Sequence, residues 1–323
     1  MQEFDLIIIG AGPAGITAGI YASRRALKTV IISENIGGQI MATTWIENYP
    51  GFSQIKAVEL VQRFEDHVRH FGVDIIQEMV VELNETEGGF IVKTTQNEYK
   101  SKAVILAFGK SPRTLDVPGE KKYTGKGVSY CATCDAPLFR GMPTAVIGGG
   151  NSAFEAAHLL SQISSKVYII HRSDTFRAFE TLVEDVKNKG VEFVMNSEVR
   201  EIKGDNFVKS IVIENNKTGE KKEIQVNGVF VEIGSEVKTD FIKDLVKLDE
   251  SKHVIVNEKA ETFYPNSDKI RHGLFAAGDL TNVPFKQIVV SAGEGCKAAL
   301  QAYNYIHGIE TKGHVADWSA SKK

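Results

Sequence analysis

Cysteine is scarce in this chain. The 323 residues hold three, Cys131, Cys134 and Cys296, which is too few for a disulfide framework and fits a reducing compartment. There is no second C-x-x-C, and no histidines stand at finger-like spacing, so a zinc site would lack its other half. No apolar run approaches the ~18 residues of a membrane span. Neither sign of charge dominates: acids and bases are interspersed and sum to a formal net charge of -3. That leaves no basic face for nucleic acid. The N-terminus, Met1-Gln2-Glu3, has no basic n-region and enters a strand-like run at once, so no secretory signal is expected. These absences set the expectation of a cytoplasmic protein with no metal, no membrane and no nucleic-acid partner.

What is present is one concentrated piece of chemistry, Cys131-Ala132-Thr133-Cys134-Asp135. Two thiols at this spacing can close into a disulfide, and the motif lets one of them hold a lowered pKa and act as a nucleophile near neutral pH. Asp135 follows at once and could carry a proton to or from a leaving sulfur. Half a zinc site and a purely structural disulfide are the plainer readings. A C-x-x-C in a cytosolic α/β chain favours the redox one.

The length allows about two domains. Phe4 to Ile9 is a short Ile-rich run, read as a buried parallel strand. Gly10-Ala11-Gly12-Pro13-Ala14-Gly15 follows, then a helical segment to about Arg25 and a strand from Thr29 to Ser33 that ends at Glu34. Strand, G-x-G-x-x-G, helix and acid together make a dinucleotide fingerprint. Gly10 makes the tight turn, Gly12 lets backbone amides approach a pyrophosphate, and Gly15 lets helix and strand pack closely. The helix N-terminus offers free N–H groups to phosphate, and Glu34 would accept from ribose hydroxyls. Gly37-Gly38-Gln39 and Asn48-Tyr49-Pro50-Gly51 read as loops. Val73 to Lys100 alternates around Gly88-Gly89 like antiparallel strands. Lys102 to Ala107 is another buried strand, ended by Gly109, and the breakers Ser111-Pro112 and Pro118-Gly119 mark a linker.

Thr144 to Ile147 starts the arrangement again. Gly148-Gly149-Gly150-Asn151-Ser152-Ala153 is a second fingerprint with Ala153 for the third glycine. A helix to about Gln162, a strand from Lys166 to Ile170, a β-rich stretch and an apolar strand closing at Gly234 follow. The chain is internally duplicated as two similar domains, not as a solenoid of short repeats. Where the first unit has Glu34, the second has His171-Arg172-Ser173-Asp174-Thr175-Phe176-Arg177. Bases there suit the 2′-phosphate of NADP; the plainer reading is a solvated basic turn. After about Lys243, Gly273 to Asp279 reads as a strand running into a turn. Asp279 would accept from a polyol hydroxyl or cap the next helix. A helix is read from Ser291 to His307, and a polar, frayed tail from Lys312 to Lys323.

With these motifs in hand, the chain resembles the low-molecular-weight thioredoxin reductases over nearly its whole length. The combination of two fingerprints, a C-x-x-C-D just before the second, and A-A-G-D near the end is specific. The resemblance implies an α/β fold of two Rossmann-like dinucleotide-binding domains (three-layer ββα type), the second inserted into the first. Residues 1–113 and 244–323 would bind FAD, and residues 114–243 would bind NAD(P)H and carry the redox disulfide. It implies that Gly10, Gly12, Pro13, Ala14 and Gly15 hold the FAD pyrophosphate, Glu34 its ribose and Asp279 its ribityl chain. Gly38, Gln39, Asn48, Gly109, Gly278, Lys286, Gln287 and Ile288 would line the flavin. Gly148, Gly150, Asn151, Ser152 and Ala153 would hold the NADPH pyrophosphate, His171, Arg172 and Arg177 its 2′-phosphate, with Gly234 close by. Cys134 would face the flavin, Cys131 would attack the disulfide of thioredoxin or a glutaredoxin-like protein, and Asp135 would protonate the departing thiolate. A homodimer is implied by the family alone.

The sequence departs from the family pattern at Ser173, where a second arginine is usual, and at Phe108, Glu232 to Glu236, and Lys286. NADH, ferredoxin or another donor in place of NADPH is the alternative these departures raise. A flavin-binding redox sensor is the non-enzymatic alternative, and a ferredoxin–NADP reductase of the same architecture would not need the disulfide. Because the C-x-x-C and the nicotinamide loop share one domain, two domain orientations related by a hinge at the linkers are expected.

Overall fold

The computed structural model describes residues 1–43 and 45–310; the tail read from Lys312 lies outside them. In chain order the main elements begin with β1 (Gln2–Ala11), α1 (Pro13–Arg24), β2 (Thr29–Ile36), α2 (Ala57–His70), β3 (Asp74–Ile76), β4 (Val80–Thr86), β5 (Gly89–Thr94) and β6 (Glu98–Leu106). Next come β7 (Ser111–Pro112), β8 (Val128–Ser129), α3 (Ala132–Asp135), β9 (Pro143–Ile147), α4 (Asn151–Ser161), β10 (Lys166–Ile170), α5 (Glu180–Asn188) and β11 (Glu192–Val194). The series closes with β12 (Ser197–Gly204), β13 (Val208–Asn215), β14 (Lys221–Gln225), β15 (Gly228–Val231), β16 (Ser235–Glu236), β17 (Glu261–Phe263), β18 (Ile270–Ala276) and α6 (Ile288–Ile306). The chain divides into two compact units. One contains Met1–Gly38, Val61–Lys110 and the chain from Val237 on; the other contains Gln39–Leu60 and Ser111–Glu236.

In the first unit the main sheet runs β17-β18-β6-β1-β2-β3. Every neighbouring pair is parallel except β17 with β18. The Ile-rich run of β1 is buried on both faces, and its alternation divides two cores. Leu6 and Ile8 pack with α1 and α6 residues such as Ala18, Ala298 and Ala302. Ile7 and Ile9 pack on the other face with Leu83, Phe90 and Val92 of the β4–β5 hairpin. Each such side chain, fully removed from water, contributes about 1.5–3 kcal/mol of transfer free energy. The result is a parallel sheet between helices and an antiparallel layer, the ββα arrangement.

The second unit repeats the plan. Its parallel sheet runs β8-β15-β9-β10-β11. Ala145 and Ile147 of β9 face the antiparallel β12–β13–β14 layer through Val199, Ile211 and Ile224. Val146 faces Phe154 and Leu160 of α4 and Val183 of α5. In each unit the closing strand lies beside the first strand, β6 beside β1 and β15 beside β9, as the internal duplication predicts. The strand next outside the closing one is β18 in the first unit, itself flanked by β17, and β8 in the second.

Several boundaries differ from the sequence reading, these three among them. β2 continues past Ser33 to Ile36, with Ala11 pairing Ile36 after an irregularity, so Glu34 sits inside the strand. β6 starts at Glu98 because it also pairs with β5. The last helix starts at Ile288, not Ser291. Its opening Ile288-Val289-Val290 is β-branched, a composition that favours strands and hides a helix start. The chain passes between the units four times; next to two of these crossings, before Ser111 and after Glu236, β7 pairs antiparallel with β16.

Candidate active site

Parallel strands deliver their carboxyl ends to one edge of a sheet, and residues bound for chemistry gather there. In the first unit that edge holds the turns after β1, β2, β6 and β18. Gly10 has φ +113°, and a Cβ on it would run into the Ala107 carbonyl. A Cβ on Gly15 would strike the Gly10 carbonyl. Gly12 is different. It is the N-cap of α1 with φ -83° and ψ -173°, and a Cβ there would meet nothing within 4 Å. Pro13 opens the helix, which has no side-chain cap and no acid in its first turn. The start of α1 therefore presents unneutralised N–H groups over open space, the arrangement that receives a pyrophosphate.

The end of β18 closes on the same loop. Gly278 has φ +86°, and a Cβ there would lie 3.0 Å from that of Ala14. Gly278 N donates to Glu294 Oε2 at 2.7 Å, and Ser291 Oγ donates to Asp279 Oδ1 at 3.2 Å. Both partners stand on the early turns of α6. Glu294 is buried, and burial raises its carboxyl pKa. Burial lowers the pKa of Lys286, whose Nζ donates to Thr281 O at 2.6 Å. Glu294 was missed in the sequence. Its one signal was an acid among small residues, in Ser291-Ala292-Gly293-Glu294-Gly295. Glu34 is exposed, Gly38 stands near Gly12, and Gly109 has φ +65°. Gln287 is the N-cap of α6 and Ile288 its first residue. Gln39 and Asn48 are exposed and belong to the segment that groups with the second unit. Phe108 packs on Phe241, ring centroids 5.3 Å apart.

The second unit carries the second loop in matching geometry. Gly148 has φ +153°, and its Cβ would meet the Glu232 carbonyl, as Gly10 meets Ala107. Gly150 is the N-cap of α4, again with no side-chain cap and no acid in the first turn, and again with open space where a Cβ would be. Ala153 is fully buried, and Ser152 is exposed. Asn151 Oδ1 accepts from Phe179 N at 2.9 Å. The His171 ring fills the space a Gly149 side chain would take, with Nε2 2.9 Å from Thr175 O. Arg177 N donates to Gly149 O at 2.8 Å, so the 171–177 segment folds back onto the glycine loop. The side chains of Arg172 and Arg177 are exposed. Ser173 contributes its carbonyl to Asn196 N at 3.2 Å. Gly234 has φ +97°, and its carbonyl accepts from Arg113 N at 3.0 Å.

The cysteines lie past the end of β8, the place in this unit that Gly278 and Asp279 take past β18 in the first. Cys131 and Cys134 form a disulfide with Cα atoms 5.3 Å apart. Cys131 is the N-cap of α3, and its carbonyl accepts from Cys134 N at 3.2 Å and Asp135 N at 3.1 Å. Asp135 is 4% exposed. It accepts from Ser129 Oγ at 2.6 Å and from Thr43 Oγ1. Burial raises its pKa, and these two hydroxyls pull it back in part. Ser129 Oγ also accepts from Cys131 N at 3.1 Å. Tyr130 OH donates to Glu120 Oε1 at 3.0 Å; burial and that carboxylate push the phenol up to about 12, so it stays a donor. Glu120, itself buried, also accepts from Leu115 N at 2.9 Å and Asp116 N at 2.8 Å. No group of three or more His, Cys, Asp and Glu among the described residues could hold a metal.

Two uncapped glycine loops and one disulfide have a counterpart among known proteins. The family described as pyridine nucleotide-disulphide oxidoreductase matches residues 4–295. The chain belongs to that family. Membership implies a flavin and a pyridine nucleotide, and the open N-termini of α1 and α4 fit such groups. A relative named thioredoxin reductase from Peptoclostridium acidaminophilum is 39% identical over 312 residues, 94% of this chain and 97% of the relative. Another of that name, from Bacillus subtilis, is 38% identical over 310 residues, 95% of this chain and 96% of its own length. The crystal structure of thioredoxin reductase from Streptococcus pyogenes superposes with a TM-score of 0.88 at 37% identity, covering 95% of this chain and 99% of that one. No helix among the described residues of this oxidoreductase is long and apolar enough to cross a membrane.

Proposed function

We propose that this chain is a thioredoxin reductase that takes reducing equivalents from NADPH through FAD to Cys131–Cys134, and from there to the disulfide of thioredoxin or a thioredoxin-like protein. The observation that carries the reading is a disulfide followed by a buried acid, in one unit with a pyrophosphate-shaped glycine loop. Residues 1–113 and 244–323 would hold FAD, with Gly10, Gly12, Pro13, Ala14 and Gly15 at its pyrophosphate and Glu34 at its ribose. Asp279, braced by Ser291 and by the Glu294–Gly278 bond, would take the ribityl chain. Residues 114–243 would hold NADPH, with Gly148 to Ala153 at the pyrophosphate and His171, Arg172 and Arg177 at the 2′-phosphate. The flavin, when bound, supplies two-electron carriage between nicotinamide and sulfur.

Once Cys131 and Cys134 are thiols, the Cys131 thiolate attacks one sulfur of the acceptor disulfide. A mixed disulfide forms, and the acceptor's other sulfur leaves as a thiolate that must be protonated. Cys134 then attacks Cys131 Sγ, remaking the intramolecular bond and expelling the second acceptor sulfur. Asp135 supplies a proton to a departing sulfur and recovers one from a thiol as it ionises. The acceptor gains two electrons and two protons, and the cysteine pair loses them. Homodimerisation and a cytoplasmic setting belong to the same proposal.

The test is steady-state turnover of FAD-loaded protein with NADPH or NADH and oxidised thioredoxin, beside Cys134→Ser. The variant is expected to retain flavin reduction and lose thioredoxin reduction. A second reading, another electron donor, is favoured by Ser173, which leaves two exposed arginines in the 171–177 segment. Stopped-flow bleaching of the flavin band by NADPH, NADH and reduced ferredoxin separates the two.

A further inference from the structure

The two hydroxyls on Asp135 each have a second place to point. Thr43 Oγ1 lies within donating distance of Asp135 Oδ1 and, at 3.3 Å, of Trp45 O. Ser129 Oγ lies 2.6 Å from Asp135 Oδ2 and 3.3 Å from Cys131 O. A hydroxyl owns one proton and two acceptor lone pairs, so each can serve only one of its two acceptors at a time. When Asp135 is ionised, both hydroxyls donate to the carboxylate. When Asp135 is protonated, its own O–H needs an acceptor, and one hydroxyl must stop donating. Thr43 can turn to Trp45 O, or Ser129 to Cys131 O, and the freed lone pair then receives the Asp135 proton. Neither change moves a heavy atom. Among the described residues no charged side chain takes part, and the influences on Asp135 are burial and these two hydroxyls.

We propose that the Thr43 and Ser129 hydroxyls form a two-position rotor that keeps Asp135 hydrogen-bonded both with and without its proton. They are thus positioning residues for the acid of the disulfide exchange. A buried carboxyl with fixed donors on both oxygens would resist protonation, and one with none would resist ionisation. The rotor removes both obstacles, so the proton can be loaded and given up on each turnover. Ser129 couples the change to the disulfide directly, because its oxygen also accepts from Cys131 N at 3.1 Å. This inference rests on the proposed role of Asp135 as the proton donor to a departing thiolate. It adds Thr43, from a segment that precedes the second fingerprint by about a hundred residues, and Ser129, which no cysteine motif contains.

The experiment uses FAD-loaded full chain labelled with 13C at aspartate carboxyls. Asp135 is followed through a pH titration by carboxyl NMR or infrared absorption, its signal assigned by its absence in Asp135→Asn. Thr43→Val keeps the shape and removes the donor to the carboxylate, so the midpoint should rise by about one pH unit. Ser129→Ala should do the same, and Thr43→Ser, which restores a hydroxyl, should return it. The acid-dependent limb of thioredoxin reduction should move with each midpoint. A midpoint and limb that stay at the parent values in Thr43→Val and Ser129→Ala, both retaining bound flavin, would overturn the rotor while leaving the acid role intact. Thioredoxin reduction in Asp135→Asn at the parent rate across the pH range would instead overturn the acid role itself. If Thr43→Val loses flavin, Thr43→Ala and Thr43→Ser decide: a displaced midpoint in the first, restored in the second, supports the rotor, and equal midpoints in all three contradict it.

Discussion

At Asp135 burial and hydrogen bonding oppose each other, and burial is the larger influence. The sign of its effect on stability follows. An acid whose folded pKa lies above its unfolded value binds extra protons in the native state. Stability is therefore lost as pH rises from the ordinary aspartate range through the folded pKa, and the loss is complete above it. Asp135→Asn carries no charge to bury, so it should be more stable than the parent above that window and gain nothing below it. Urea unfolding at several pH values checks this. The same substitution should slow thioredoxin reduction on the order of 100-fold, the usual size of a general-acid contribution. The glycines of the first loop separate two further effects. Gly12→Ala meets open space and an ordinary φ, so thermal stability without FAD should hardly change while FAD affinity falls. Gly15→Ala meets the Gly10 carbonyl, so the fold itself should be destabilised by more than about 1 kcal/mol. Equal effects of the two on thermal unfolding would contradict this division.

Elements decide what the residues cannot. Helix α6 reaches back to the end of β18 through Ser291 and Glu294 and approaches α1 so closely that a Cβ on Gly295 would strike the Ala14 carbonyl. Glu294→Ala leaves Gly278 N without its buried acceptor and should cost about 1–3 kcal/mol, with a matching loss of FAD affinity; Glu294→Gln, which keeps an acceptor oxygen, should cost less. Calorimetry with and without FAD measures both. The strands β1, β9 and β15 were legible because an apolar run ended by glycine has few other readings in a chain of this class. The cysteine motif was legible because it is local. The bracing of Asp135 was not. Thr43 is remote in sequence, a lone threonine carries no periodic signal, and only the packed segment brings it to the carboxyl. Glu294 and Glu120 were hidden likewise, since an acid in a sequence reads as surface until its backbone donors are seen. The start of α6 was obscured by three β-branched residues that propensity assigns to a strand.

For the whole molecule, the disulfide and the second glycine loop belong to one unit and the first loop to the other. If the proposed function holds, turnover that serves both is expected to need the units to move, with the crossings before Ser111 and after Glu236 as the expected hinge. Cross-linking one unit to the other should slow either flavin reduction or disulfide reduction, and rapid-mixing absorbance that shows neither slowed would contradict the expectation. The duplication of the plan makes the proposed division of labour readable, since two copies of one nucleotide-binding layout raise the expectation of two nucleotides. The central claim is that electrons entering on a pyridine nucleotide leave through Cys131 and Cys134. It is tested most directly by anaerobic reduction of FAD-loaded protein with one equivalent of NADPH, followed by thiol counting and addition of oxidised thioredoxin. The account predicts two new thiols per chain, both lost as thioredoxin is reduced, and no thioredoxin reduction in Cys134→Ser. Thioredoxin reduction that persists in Cys134→Ser, or a reduced flavin that yields no new thiols in the parent protein, would contradict it.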